Sequence, residues 1–292
     1  MTIRRELEHR REQYRDIREI MNAMKNLALM ETHKLAHYTH NQSELVRGIE
    51  TVARDFLHFH PYAPDIPADA HSAWLLFGSE RGFCGDFNET LLAEHRTALR
   101  NDVAATTIAV GRKLGALIQR ESIPVALIDG ATVADEIGAV LTRVVAAIDA
   151  LHARYGALRL TALFFDEHGN LQTRGLLPPF VNLASAPPPS GTPPELTLEV
   201  DRFFAELVDH YLFACLYEIA YRSFMAENRD RIQHMESALQ HLDRNVTDLG
   251  RRCRSLRQEE ITEEIEVILL TAEGPTGAGS RTGADARRIG RR

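Results

Sequence analysis

Apolar or amphipathic residues recur at steps of three and four along the first part of the chain: Ile3, Leu7, Tyr14, Ile17, Met21, Met24, Ala28 and Leu35, interrupted by Arg10 and Glu31. That is a heptad seam, narrower than the stripe of an ordinary core helix. No proline precedes Pro61. The spacing therefore predicts one helix from about Ile3 to Phe59, roughly 80 Å long at ~1.5 Å per residue.

After the proline-rich break Pro61–Pro67 the pattern changes. Short β-rich runs at Trp74–Phe77, Thr106–Val110, Val125–Asp129 and Leu158–Phe165 alternate with helical patterns at Asn88–Arg100, Arg112–Glu121 and Val133–Arg154. Such alternation implies βαβ units and a largely parallel sheet. The turn Asp166–Asn170 leads into Leu171–Leu177, read as a hairpin that adds an antiparallel edge strand. Ser185–Pro194, rich in Pro, Ser and Gly, reads as a linker.

From Glu199 to Ala272 there is again no proline, and a second seam runs Met235, Leu239, Leu242, Val246, Leu249, Cys253 and Leu256. Continuous helix here would be roughly 105 Å long. A middle zone of this size has a radius of gyration near ~13 Å, too small to carry either helix along its whole length. Both helices must project, and they bury their seams most economically on each other. The fold expected is α/β: an antiparallel coiled coil of long N- and C-terminal helices with a central Rossmann-like α/β domain. Its parts are a shaft helix over 1–60, the α/β domain over 73–185, a second shaft helix over 199–272, and a disordered basic tail over 274–292.

Composition narrows the picture. The hydrophobic fraction of 44% and charged fraction of 26% are those of a soluble globular protein. No run approaches the ~18 consecutive apolar residues of a membrane span, so any membrane association is indirect. A net charge of −7 argues against nucleic acid as the main partner. Cys84, Cys215 and Cys253 are far apart and form no CxxC pair, and no signal peptide precedes the first helix, as in a reduced, cytosol-facing protein. The Arg-rich start is interleaved with Glu6, Glu8, Glu12, Asp16 and Glu19, acids that transit peptides avoid, so it reads as part of the mature fold.

Four local motifs carry a resemblance. Ser79-Glu80-Arg81-Gly82-Phe83-Cys84-Gly85-Asp86-Phe87-Asn88 follows the first strand and opens a helix. It resembles the S/T-D-R-G-L-C-G-x-x-N segment of ATP synthase gamma subunits. Arg257-Gln258-Glu259-Glu260-Ile261-Thr262-Glu263-Glu264-Ile265 resembles that family's R-Q-x-x-I-T-x-E-[LI]. Ile20–Lys25 is similar to its I-T-K-A-M-[EK], and Met225–Met235 to its A-S-E-x-x-A-R-M-x-A-M stretch. The four stand in the family's order and spacing over about Ile3 to Thr271.

The resemblance implies a central-stalk rotor, present in a single copy, that couples transmembrane ion flow to ATP synthesis or hydrolysis. It implies partners in the alpha and beta subunits of the catalytic ring, the epsilon subunit and the ring of c subunits. It also implies a peripheral place on the cytoplasmic face of the bacterial inner membrane, with membrane contact only through the c ring. Catalysis and nucleotide binding would stay in the ring, leaving no catalytic residue, cofactor or metal here. By resemblance Arg257 and Gln258 meet a beta-subunit loop, Thr262 and Glu264 contribute to coupling nearby, and Met24, with Lys25 beside it, faces the lower beta lever. Met24 also falls on the seam and reads equally as core, while Arg257 also reads as a solvated helix charge. Arg81, Gly82, Cys84, Gly85 and Asn88 are the motif turn.

Three departures point to a divergent or alternate form of the complex. Ala28–Lys34 is less basic than the family's A-A-[SA]-K-[ML]-[RK] and contains Glu31. Leu196-Thr197-Leu198-Glu199 stands, without aromatics, where an aromatic-x-aromatic-Glu patch meets epsilon and the c ring; Glu199 is the candidate contact. The basic tail extends past the family's usual end.

Other signals are weaker. The Arg81–Gly85 turn lacks the Lys-Ser/Thr of a phosphate loop and the three glycines of a dinucleotide fingerprint. His33, His37 and His40 share a helix face without a clearly placed carboxylate or Cys to complete a metal site. The acidic run Glu259–Glu266 has no calcium-loop spacing and reads as a solvated face. Periodicity alone also fits a scaffold, or an α/β domain on a coiled-coil stalk.

Overall fold

The computed structural model describes residues 3–61, 67, 70–100, 102, 104–121, 125–181, 193 and 195–272. Most of the proline-rich break, most of the Ser185–Pro194 linker and the basic tail lie outside the described residues. The elements are α1 (Ile3–Phe59), β1 (His71–Phe77), α2 (Phe87–Leu99), β2 (Thr106–Val110), α3 (Arg112–Ile118), β3 (Val125–Ile128), α4 (Ile137–Tyr155), β4 (Leu158–Phe165), β5 (Leu171–Leu177) and α5 (Val200–Ala272). Short 3-10 turns cover Gln119–Glu121 and Ala134–Glu136. The chain forms two compact units, Met1–Glu19 with Gln240–Arg292, and Ile20–Leu239.

In the smaller unit the start of α1 and the later part of α5 run antiparallel. Arg4 pairs with Glu260 at 2.8 Å and Arg18 with Asp243 at 2.5 Å, so advancing along one helix means retreating along the other. Leu249 and Cys253 are buried, with Leu7, Tyr14, Val246 and Leu256 half-buried. Ile3 and Ile17, expected on the seam, are instead 70% and 44% exposed. A single partner helix covers only a narrow strip, and the positions flanking it stay in water.

In the larger unit the pairing is also antiparallel. Tyr38 meets Tyr221 with ring centroids 5.5 Å apart, Ser43 donates to Glu218 at 2.9 Å, and Phe56 packs on Phe203 at 5.1 Å. Met21, Ala28, Leu35, Thr39, Val46 and Ala53 are buried on α1. Their sevenfold and fourfold steps keep one face on the partner, and the two alanines let the backbones approach.

The sheet order is β3-β2-β1-β4-β5, parallel except for the antiparallel edge strand β5. Strands β1, β2 and β4 are buried along most of their length, as a sheet covered on both faces requires. One face carries α2 and α3 through Phe87, Leu91, Leu114 and Ile118 against Leu76, Ala109 and Leu163. The other carries α4 together with α1 and α5, through Leu35, Phe56, Val140, Leu141, Cys215 and Ile219 against Leu75, Ile108 and Leu160. Within this unit, α1 and α5 are therefore part of the core of the α/β body.

Candidate functional site

The motif turn sits at the carboxyl end of β1, where α/β sheets place their loops. Its geometry is set by side chains that bond backbone. Asn88, in the first turn of α2, accepts the Ser79 N–H at 2.9 Å and donates to the Ser79 hydroxyl at 2.7 Å, which closes the loop. Phe83 and Gly85 have φ of +66° and +59°. At Gly85 a Cβ would fall 2.0 Å from His234 Nε2, so the left-handed backbone and the His234 ring both favour glycine there.

Glu80 fills the crevice between the ends of the parallel strands. Its side chain is 2% exposed and accepts N–H bonds from Arg112 at 2.9 Å and Gly130 at 2.8 Å, besides pairing with the Arg112 guanidinium. In nucleotide-binding sheets such N–H groups face a phosphate. Here the chain's own carboxylate takes them. Gly111, with φ of +108°, leaves no room for a side chain, since a Cβ would meet the Gly78 and Ser79 carbonyls at 2.7 Å.

From α5, Arg231 reaches into the same loop. It donates to the Asn228 side chain at 2.9 Å, the Gly82 carbonyl at 3.3 Å and the Arg81 carbonyl at 3.5 Å, and it pairs with Glu227. Glu227 in turn accepts the Arg81 N–H at 3.4 Å. Burial, with the neighbouring Glu227 adding to it, pushes the Cys84 thiol up to about 12 despite Arg231. A thiol so protonated is no nucleophile. The motif residues Arg81, Gly82, Cys84, Gly85 and Asn88 are thus brought together as a braced turn. Glu227 and Arg231 were not singled out from sequence; the available signal was an acid and a base four apart within a motif.

Beside the turn lies a cleft of about 680 Å³ lined by Met24, Arg81, Phe83, Arg112, Lys113 and Leu127. Met24 is half-buried at its rim, between Met21 and Ala28 of the buried seam, and Lys25 is half-exposed. Arg257, Gln258, Thr262 and Glu264 are exposed on α5, where the Thr262 hydroxyl donates to the Gln258 carbonyl at 2.8 Å. Glu199 is exposed just before α5, its carbonyl accepting the Phe203 N–H at 2.9 Å. Past Glu260, α5 shows an apolar run to solvent: Ile261, Ile265, Val267, Ile268, Leu269 and Leu270 are 46% to 72% exposed. Among the described residues no group of three His, Cys, Asp or Glu side chains is placed to hold a metal ion.

Solved structures share this fold. The chain superposes on a chain of the Euglena gracilis mitochondrial ATP synthase in an OSCP/F1/c-ring structure with a TM-score of 0.61, at 16% identity over 96% of this chain and 98% of that one. A Tetrahymena thermophila mitochondrial ATP synthase central stalk/c-ring structure gives 0.52, at 16% identity over 75% and 99%. In sequence it is similar to the ATP synthase gamma chain of Parafrankia sp. (strain EAN1pec), 25% identical over 250 residues, covering 77% of this chain and 80% of that one. The family model described as ATP synthase matches residues 4–274. The chain belongs to the ATP synthase gamma-subunit family.

A gamma subunit is a non-catalytic part of the rotor stalk, and catalysis resides in the beta subunits. The ATP synthase stalk is a peripheral part of a membrane complex; among the described residues no helix is long and apolar enough to cross a membrane. Against the gamma pattern, the unusual Glu31 has an internal use. Its Oε2 accepts the Ala134 N–H at 2.9 Å, and Lys34, one turn on, pairs with Asp135 at 2.6 Å. The acid thus ties α1 to the corner between β3 and α4.

Proposed function

We propose that this gamma subunit stands as a single copy at the centre of a ring of three alpha and three beta subunits, and that it delivers torque between that ring and the ring of c subunits. The observation that carries the reading is the set of apolar side chains Ile261, Ile265 and Val267–Leu270, which lie open to solvent in the isolated chain beside the acidic residues of the same stretch. Clustered exposed apolar side chains mark a partner site, and a closed collar of subunits would cover every side of such a helix. Arg257, Gln258, Thr262 and Glu264, on the same stretch of α5, are the proposed polar contacts to that collar. Met24, which lines the 680 Å³ cleft, and the neighbouring Lys25 are the proposed contacts to the lower beta lever.

Glu199 is the proposed contact to epsilon and the c ring, which would hold the chain on the cytoplasmic face of the bacterial inner membrane. Stalk helices over 1–60 and 199–272 would serve the ring contacts, with the α/β body over 73–185. Coupling then follows from differential contact: an asymmetric rotor favours one beta conformation over another in each orientation.

The test is assembly. Mixed with its alpha and beta subunits, the chain should enter a hexamer at one copy per three alpha and three beta, as native mass measurement reads it. Three copies per hexamer, or a chain that stays outside it, would overturn the reading.

A further inference from the structure

Arg174 lies on the edge strand β5, opposite Ala162 of β4. It donates through Nη1 to Glu218 of α5 at 2.6 Å and through Nη2 to Glu50 of α1 at 3.0 Å. Glu218 is only 6% exposed, and Arg174 and Glu50 are 25% and 26% exposed. Both carboxylates are held in turn. Ser43 of α1 and Arg222 of α5 each approach Glu218 Oε1 at 2.9 Å, and the Tyr211 hydroxyl donates to Glu50 at 3.4 Å. In the β4–β5 turn, Glu167 faces Arg222 at 3.4 Å, and its carbonyl accepts from Arg229 at 3.0 Å. One hairpin thus ties the sheet to both long helices.

Most of the remaining cover of that sheet face is apolar, for example Val46, Ala53 and Phe56 of α1 and Leu207 and Ile219 of α5. Close packing fixes which face of each helix is buried, but apolar contact is non-directional and adds less resistance to small rocking about the helix axis than a directed bond does. Charge-assisted bonds from a planar guanidinium set direction as well as distance. We propose that Arg174 is the torsional lock of this rotor, fixing the azimuth of α1 and α5 on the sheet so that torque applied to one is delivered by the other without slip. It is a positioning residue, and the proposal rests on the rotor reading above.

The experiment uses the complete complex in phospholipid vesicles, reading ATP hydrolysis and ion uptake together. Arg174→Met should hydrolyse ATP near the wild-type rate yet move roughly threefold fewer ions per ATP, because it removes the one cation that bonds the carboxylates of both helices and so loosens the joint. Arg174→Lys should restore most of the ratio. Ile118→Val, in the opposite core layer, should lower the melting temperature and leave the ratio unchanged, which separates the lock from mere stability. If Arg174→Met does not assemble, Glu50→Gln carries the test, since it weakens the tie to α1 and keeps the bond to Glu218; an intermediate fall is expected. A wild-type ratio in the assembled Arg174→Met complex, or in Glu50→Gln where that one fails, overturns the lock. A wild-type complex that does not couple hydrolysis to ion uptake sinks the rotor reading itself.

Discussion

Arg231 Nη2 lies 3.2 Å from the sulfur of Cys84, across 147 residues of chain. The contact joins two motifs: the turn after β1, and the stretch of α5 that passes over it. Arg231 spends its remaining donors on the Gly82 and Arg81 carbonyls and on Asn228, and Glu227 closes the set through the Arg81 N–H. The turn that carries the exposed Phe83 is therefore held by α5 as well as by its own strand.

Breaking that brace from one side should be costly. Arg231→Met leaves Glu227, 3% exposed, without its counter-charge, and the loss of one partner of a buried pair costs about 3–5 kcal/mol. The double variant Glu227→Gln with Arg231→Met removes the stranded charge and should recover a large part. Denaturant midpoints for the three proteins check this. A double variant as weak as the single one would show that the pair's geometry matters more than the stranded charge.

His95 should make stability depend on pH. It is fully buried on α2 against Trp74, its Nε2 bonded to the Thr107 hydroxyl at 3.2 Å and its Nδ1 without a partner. Burial lowers its pKa to about 4. The unfolded chain, with an ordinary histidine near 6.5, then binds more protons than the folded one between those values, so stability falls as pH drops through that window. The loss reaches roughly 3 kcal/mol by pH 4 and is absent above pH 7. His95→Gln removes this titration. Its stability should change less than the wild type's between pH 7 and pH 4.5, measured by chemical denaturation; parallel curves would reject the assignment.

The alternation of strand and helix, the antiparallel hairpin at 166–177 and the two proline-free helices were legible because each rests on local pattern. Strand β1 begins three residues before the expected Trp74, since His71 and Ser72 carry no apolar signal yet pair with β4. Arg174 was not legible. On an edge strand next to Gln172 and Thr173, both exposed, it reads as a solvated charge, and only the packing of α1 and α5 reveals two buried-side carboxylates facing it. Glu80 was hidden for a related reason. Its partners are backbone N–H groups at Arg112 and Gly130, and no residue type announces those. Glu31 stood out as a departure from the family pattern, while its use at Ala134 depends on a corner 103 residues away.

Two exposed side chains of α5 test the proposed ring contacts directly. Arg257 and Gln258 are exposed on α5, and the Gln258 group that bonds Thr262 is its backbone carbonyl, which substitution leaves in place. Alanine is the best helix former, and surface changes of this kind stay within about 0.5 kcal/mol. Replacing both with Ala should therefore leave the chain's melting curve where it was. If the two side chains meet the beta subunits, ATP turnover by the assembled complex should still fall by about tenfold, the equivalent of roughly 1.4 kcal/mol of lost contact. Steady-state hydrolysis by complexes verified to contain one copy of the chain reads the effect. Full turnover in such complexes would remove Arg257 and Gln258 from the coupling path and leave the apolar run beyond them as the part of α5 that engages the ring.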